Sequence, residues 1–245
     1  MYSTVKKALY YLLPKRFILR SEFLLRRLFS VFYRGRIVKC VLCSGSFSRF
    51  ITLQSGDLLC PRCGSLPRHR RLWLILQQND WLKTGIKILH FSPSRILQHK
   101  MNRFFSEGYS TTDYDRNAHT DKHYDITDVP EKDGCFDLII CFHVLEHIPD
   151  DRKAIRELYR ILKPGGTVLI QTPFKEGDIY ENNNISDPAG RLQHFGQEDH
   201  VRLYSAEGLR ERLQKAGFSV YIDHFNAEPV LGLKDEIVLN CKKTT

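Results

Sequence analysis

Hydrophobic positions follow two rhythms along this chain, and the change between them divides it. Near the start the spacing is helical: Val5, Ala8, Leu9 and Leu12 fall at i, i+3, i+4 and i+7, as do Leu25, Leu28, Phe29 and Phe32, with Pro14 between the two stripes. From residue 85 onward, short apolar runs alternate with helical spacing. Ile86–Phe91, Tyr109–Asp113, Phe136–Phe142, Thr167–Thr172, Phe218–His224 and Glu236–Cys241 read as strands. Helices are predicted at Pro93–Phe105, at Asp150–Leu162, where Pro164-Gly165-Gly166 stops the pattern, and at Ala206–Ala216 ahead of Gly217. Such alternation over short loops predicts an α/β fold, a mostly parallel sheet covered on both faces. Ligands of such sheets bind beyond the carboxyl ends of the strands, so chemistry is sought there.

Between the two rhythms lies a cysteine-bearing stretch. Cys40-Val-Leu-Cys43 and Cys60-Pro-Arg-Cys63 are two C-x-x-C pairs sixteen residues apart, the spacing at which four thiolates close a tetrahedron around zinc. Gly45 and Gly64 suit the knuckle turns, and Phe47, Phe50, Ile51 and Leu53 can supply a small core. With all four ligand positions filled by protein, the zinc is expected to be structural; disulfides are the alternative. Cys135, Cys141 and Cys241 stand alone and read as ordinary interior residues. A helix over about 67–79 follows, and Arg68, Arg70 and Arg71 at its start oppose the helix dipole, which suggests either a held anion or a solvated basic turn.

Charge changes the picture of the first segment only. Residues 1–39 hold ten Lys and Arg against Glu22, a surplus of nine, and the remaining 206 residues carry 27 basic and 27 acidic groups, so the whole formal charge of +9 sits in the arm. Basic residues flanking apolar stripes fit an anionic membrane surface, or a helix pair packed on the protein body; nucleic acid ranks behind both. With 42% apolar residues, 10 Pro and 15 Gly, the composition excludes collagen-like and wholly disordered chains. The expected organisation is a basic arm (1–38), a zinc-ribbon-like module (39–66), a linking helix (67–84) and an α/β domain (85–245). The expected location is the cytoplasm, peripheral at the inner membrane face if the arm binds lipid.

One stretch carries a likeness. Phe136-Asp-Leu-Ile-Ile-Cys-Phe-His-Val-Leu-Glu-His147-Ile-Pro-Asp, followed by Glu157-Leu-Tyr-Arg-Ile-Leu-Lys-Pro-Gly-Gly166, resembles the central block of class I S-adenosylmethionine-dependent methyltransferases. The four-cysteine segment, the Arg68-His-Arg70 helix and the late Asp199-His-Val-Arg-Leu-Tyr204 further resemble a bacterial subgroup associated with surface-polysaccharide or lipid biosynthesis. The resemblance implies a Rossmann-like, seven-stranded sheet and S-adenosylmethionine as cofactor. The family's glycine-rich first motif aligns with Ile88-Leu89-His90-Phe91-Ser92-Pro93-Ser94, where both glycines are Ser and the acid is His. Ser92 is expected to cap the next helix with Pro93 at its first position, leaving free N–H groups for the cofactor carboxylate; Arg68 or Arg70 could complete that recognition. Asp113, with Asp115 as alternate, is the match for the ribose-binding acid. Asp125 and Ile126 match the adenine contacts, and Phe142 and His143 stand where members of the family line the cofactor.

Methyl transfer aligns a nucleophile with a sulfonium methyl, and a hydroxyl acceptor also needs a base. Candidates on the loops after the strands are Glu146, His147 and His200 for proton transfer, and His194, Arg202 and Tyr204 for the acceptor. The expected function is methylation of a small molecule, sugar or lipid-linked glycan. The rivals are RNA methylation, which some ribbon-bearing enzymes perform, and a catalytically silent module that binds S-adenosylmethionine, suggested by the missing glycines.

Overall fold

The computed structural model describes residues 23–105 and 107–244. The first apolar stripe, Val5 to Leu12, lies outside them. The chain forms two compact units, one made of the residues up to Trp81 with Asn226–Lys234, the other of Leu82–Phe225 with Asp235–Thr245.

In the first unit a helix over 23–29 runs into a 3-10 turn, Ser30–Tyr33. Strand β1 (Arg34–Lys39) pairs antiparallel with β2 (Ser46–Phe47), and β3 (Ile51–Thr52) with β4 (Leu58–Leu59). Two-stranded pairs such as these are marginal by themselves. Helix α1 (Pro67–Gln78) buries Leu72, Trp73, Ile75 and Leu76; Phe47, Phe50 and Ile51 are buried as expected, whereas Leu53 is only half-buried and Leu59 takes the interior place instead. Arg70 is fully buried. Its guanidinium donates to Ser65 O (2.6 Å), Ser65 Oγ (3.1 Å), Leu58 O (2.8 Å) and Gly232 O (2.5 Å) and stacks on Phe50. Arg71 donates to Asn226 O at 2.7 Å. The expectation that Arg70 recognises a cofactor carboxylate is therefore corrected: four carbonyl and hydroxyl oxygens of its own unit occupy it.

The second unit is built on a six-stranded sheet in the order β11-β12-β8-β7-β5-β6. Strands β5 (Ile88–Phe91), β6 (Tyr109–Thr112), β7 (Phe136–Phe142) and β8 (Leu162–Gln171) are mutually parallel; β12 (Glu236–Lys243) runs antiparallel between β8 and β11 (Phe218–Phe225). The buried run of β7 marks a strand covered on both faces. Helices α2 (Arg95–Phe104), α3 (Asp151–Ile161), α4 (Pro188–Phe195) and α5 (Ala206–Lys215) complete the unit, with the short pair β9 (Tyr180–Glu181) and β10 (Arg202–Leu203). Helix α3 starts where Asp150 Oδ1 accepts from Lys153 N at 2.9 Å, and it buries Ala154, Ile155, Leu158 and Ile161.

Two expectations about the sheet are corrected. Six strands, not seven, form it among the described residues: beyond β6 the chain makes only isolated bridges, Thr112 with Lys122 and Asp125 with Asp128. Residues 113–123 are too polar to bury a strand face, and Asp113 and Asp115 tie them into side-chain turns. Strand β8 begins at Leu162 rather than Thr167. Its register with β7 shifts between the Phe136–Leu162 and Leu138–Thr167 pairs, which lets Lys-Pro-Gly-Gly run through the strand as an irregularity.

Candidate functional site

The strand order reverses direction at β5, whose neighbours are β6 and β7, so the crevice at the carboxyl ends of β5 and β7 is the expected binding place of such a sheet. The last backbone bonds there diverge. Ser92 N donates to Thr112 O on the β6 side (2.8 Å), and His143 N donates to Gln171 O on the β8 side (2.8 Å). Both residues sit in the left-handed region, Ser92 at φ 46° and His143 at φ 56°. A non-glycine residue at such a dihedral is strained, and strain of this kind gathers at functional sites. Ser92 thus takes the backbone conformation that a glycine of the first motif would take freely. It does not cap the helix as expected: Ser94 does, accepting from Leu97 N, and α2 starts at Arg95 instead of Pro93.

The other first-motif residues turn inward. Phe91 is part of the core, and His90 is buried with Nδ1 3.0 Å from Tyr109 Oη. Burial lowers the pKa of His90 to about 3, so the imidazole is neutral where the family's pattern has a carboxylate. Pro93 is half-buried between Ser92 and the Ser94 cap.

Asp113 stands half-buried directly after β6, its Oδ1 accepting from Asp115 N at 2.9 Å. Asp115 is held in the next turn by Asn117. Asp125 is exposed, accepting from Thr127 N and Oγ1, both at 2.8 Å. Ile126, expected against an adenine ring, is only 3% exposed and packs in the core. Phe142 ends β7, and at the end of β8 the buried Gln171 Oε1 and Thr172 Oγ1 have no hydrogen-bond partner among the described residues. A strained backbone turn, an acid one strand over and orphaned polar atoms at strand ends fit a polar cofactor at this crevice.

Beyond β7 a 3-10 turn, Leu145–His147, brings Glu146 and His147 beside His200. One ligand atom from each lies within 4.8 Å of the others. Glu146 is 1% and His200 2% exposed. His143 Nδ1 stands 3.2 Å from Glu146 Oε1 as an ion-pair contact, yet neither Glu146 oxygen nor either His200 nitrogen makes a directed hydrogen bond among the described residues. Burial pushes the Glu146 carboxyl up, but the neighbouring His143 outweighs it and holds the group below the usual carboxylate range. Burial lowers the basicity of His200 against the opposing pull of Glu146. His147 crosses His200 edge-to-face at 4.7 Å, and its Nδ1 faces Asp199 Oδ2 at 3.3 Å.

Arg202 and Tyr204, expected as acceptor contacts, are buried pieces of the scaffold that holds this turn. Arg202 donates to Leu145 O (3.2 Å), to Ile148 O and to Pro149 O (2.8 Å), and pairs with Glu181. The Tyr204 hydroxyl donates to Asp151 Oδ2 at 2.5 Å, where Arg212 also binds. With Val201 N bonded to Glu146 O, this network pins residues 200–204 to 145–151. His194 lies on the exposed side of α4, its Nδ1 2.7 Å from Tyr180 Oη. Sequence spacing had no means of showing that the Asp151–Glu181–Arg202–Arg212 network exists, since its members are up to sixty-one residues apart.

In the first unit the four cysteines meet. Cys40 Sγ and Cys63 Sγ are 3.7 Å apart and Cys43 Sγ and Cys60 Sγ 3.8 Å, with no disulfide formed. Sulfurs at about 2.3 Å from one tetrahedral zinc stand about 3.8 Å apart, so the donor set fits zinc. The two knuckles share one design: Cys40 N donates to Gly45 O and Cys60 N to Ser65 O, both at 2.9 Å. The left-handed residue after each second cysteine is Ser44 (φ 56°) in the first knuckle, not Gly45 as expected, and Gly64 (φ 74°) in the second. Gly45 is required for another reason: an added Cβ would lie 2.6 Å from the Phe47 ring.

The match to known proteins agrees with this architecture. Residues 71–221, more than half of the chain, match the family described as "Methyltransferase domain", and the chain belongs to that family. It is 33% identical over 102 residues to a Mycolicibacterium smegmatis protein named "Probable S-adenosylmethionine-dependent methyltransferase" (40% of this chain, 35% of that one). It is 35% identical over 107 residues to the demethylmenaquinone methyltransferase of Streptomyces griseus (37% and 46%). The chain therefore spans less than half the length of these relatives. Among solved structures, the [4+2]-cyclase SpnF superposes with a TM-score of 0.54 at 17% identity, covering 71% of this chain and 81% of SpnF, a likeness of fold.

Proposed function

We propose that this chain transfers a methyl group from S-adenosylmethionine to a small-molecule, sugar or lipid-linked acceptor. The observation that carries the reading is the crevice between β5 and β7, in a chain whose residues 71–221 match a methyltransferase domain, with Ser92 standing in the left-handed conformation where the family has glycine. S-adenosylmethionine supplies a methyl on a positively charged sulfur. In this reading the backbone at Ser92 and the N-terminal turn of α2 face the methionine part, Asp113 accepts the ribose hydroxyls, and Asp125 accepts from the adenine amino group. A hydroxyl acceptor must also lose its proton, and Glu146, His147 and His200 are the polar groups that meet it. The names of the relatives support a small acceptor, the demethylmenaquinone enzyme among them. The fold alone would not, since the same architecture serves a cyclase.

Titration calorimetry with S-adenosylmethionine tests this. The full chain should bind it, and Asp113→Ala should weaken binding by about 1.5–3 kcal/mol, the range for a hydrogen bond to a charged group. Equal affinity in the variant would move the ribose contact to Asp115, and absence of binding by the unaltered chain would overturn the reading.

Zinc in the four-cysteine centre belongs to the same proposal, as the fastener of the first unit. So does a lipid surface as partner: Leu24, Leu28, Val31 and Phe32 are exposed, Phe32 by 79%, beside Arg27, Arg34 and Arg36. Among the described residues no helix is long and apolar enough to cross a membrane, so the contact would be with a membrane face.

A further inference from the structure

We propose that Glu146, His147 and His200 bind a divalent transition cation of the zinc and cobalt class, at a site separate from the four cysteines. Two imidazoles and one carboxylate suit such an ion better than magnesium or calcium, which favour oxygen. The strongest observation is what the two buried side chains, Glu146 and His200, lack. His200 is 2% exposed and neither ring nitrogen makes a directed hydrogen bond among the described residues; in Glu146, 1% exposed, Oε2 is likewise without one and Oε1 has only the 3.2 Å ion-pair contact with His143 Nδ1. Buried polar atoms left so cost free energy unless something pairs with them. A single ion between them pairs with both, and His147 supplies the third ligand.

Geometry agrees. Ligand nitrogens and oxygens at about 2.0–2.2 Å from a four-coordinate ion stand about 3.3–3.6 Å apart. The three candidate atoms already lie within 4.8 Å of one another, a gap that small rotations about the side-chain bonds close. The surroundings are those of a ligand histidine. Metal-binding imidazoles donate their second N–H to a carboxylate or carbonyl, and His147 Nδ1 is 3.3 Å from both Asp199 Oδ2 and Asp199 O, so Nε2 is the ligand atom it would offer. The backbone is held as well, because the buried Arg202 ties the carbonyls of residues 145, 148 and 149 to the segment that carries His200. Three protein ligands leave a coordination position open, as in sites that act on a bound oxygen and unlike the closed four-cysteine centre.

The test uses the full chain, dialysed against chelator and then titrated with Co²⁺. Cobalt bound per chain is read by metal analysis after equilibrium dialysis, and zinc retained by the cysteines is counted in the same samples. One cobalt per chain beyond the cysteine-bound metal is expected, with His200→Ala at least a hundredfold weaker and Asp199→Asn about tenfold weaker, the loss typical of an outer partner. Glu146→Gln, nearly equal in volume, should also lose cobalt and guards against a fold lost in the alanine variant. Absence of this cobalt from the unaltered chain, or equal cobalt in all variants, overturns the proposal. S-adenosylmethionine titrated into the same samples keeps the two readings apart: binding without cobalt removes only the metal site, and cobalt without such binding removes only the methyl-transfer reading.

Discussion

At His90 the sequence substitutes an imidazole for the acid of the family's first motif, and the structure buries it against Tyr109. Its pKa falls from 6.5 to about 3, the cause being burial. A depressed histidine pKa means that the unfolded chain binds one more proton than the folded one between those values, so stability is full above pH 6.5 and declines as pH falls toward 3. The slope approaches about 1.4 kcal/mol per pH unit below the unfolded value. Replacing His90 by Gln should remove that slope while costing some stability at pH 7 through the lost ring contact. Urea midpoints from pH 7 down to pH 5 for both proteins would check this, and parallel slopes would mean that His90 is not the group responsible. The residue was legible as a departure from the motif; that it is neutral and turned inward depends on neighbours nineteen residues away on β6.

Among the elements, the two cysteine knuckles were the most legible, because the C-x-x-C spacing and the turn that follows it are local. Each knuckle is closed by bonds within six residues, and only the pairing of Cys40 with Cys63 and of Cys43 with Cys60 required the fold. If zinc is held there as proposed, Cys60→Ser should reduce cysteine-bound zinc from about one per chain to none and expose residues 39–65 to protease, since the two-stranded pairs β1-β2 and β3-β4 are marginal alone. Metal analysis with limited proteolysis checks it; a resistant, metal-free protein would contradict a structural role. The sheet edge behaved differently. The six strands read from periodicity all lie in the sheet, whereas the seventh implied by the resemblance is absent among the described residues: after β6 the side chains of Asp113 and Asp115 satisfy their own backbone in turns.

For the whole molecule, the uneven charge is the dominant feature. All nine surplus positive charges lie in the first 39 residues, and the described part of that segment exposes Leu24, Leu28, Val31 and Phe32. Each basic residue near an anionic surface contributes about 1 kcal/mol, screened by salt, in addition to apolar burial. Full-length protein should co-float with phosphatidylserine-containing vesicles at low salt and release as salt rises. Leu28→Ser with Phe32→Ser, both at exposed positions, should float less without losing thermal stability. Equal flotation of the two, or flotation on neutral vesicles alike, would remove the lipid reading.

Periodicity and spacing were enough to determine the α/β class, the parallel central strands, the four-cysteine centre and the isolation of charge in the arm, because each is encoded by residues near one another in sequence. The methyltransferase likeness rested on the continuous stretch from Phe136 to Gly166 for the same reason. Only the tertiary structure decided that Arg70 and Arg202 spend their guanidinium groups on backbone carbonyls, and that Ser94 rather than Ser92 caps α2. It alone brought His200 against Glu146 and His147 across more than fifty residues. Burial, and with it the question of which polar atoms lack partners, is a property of neighbours that the chain meets only when folded.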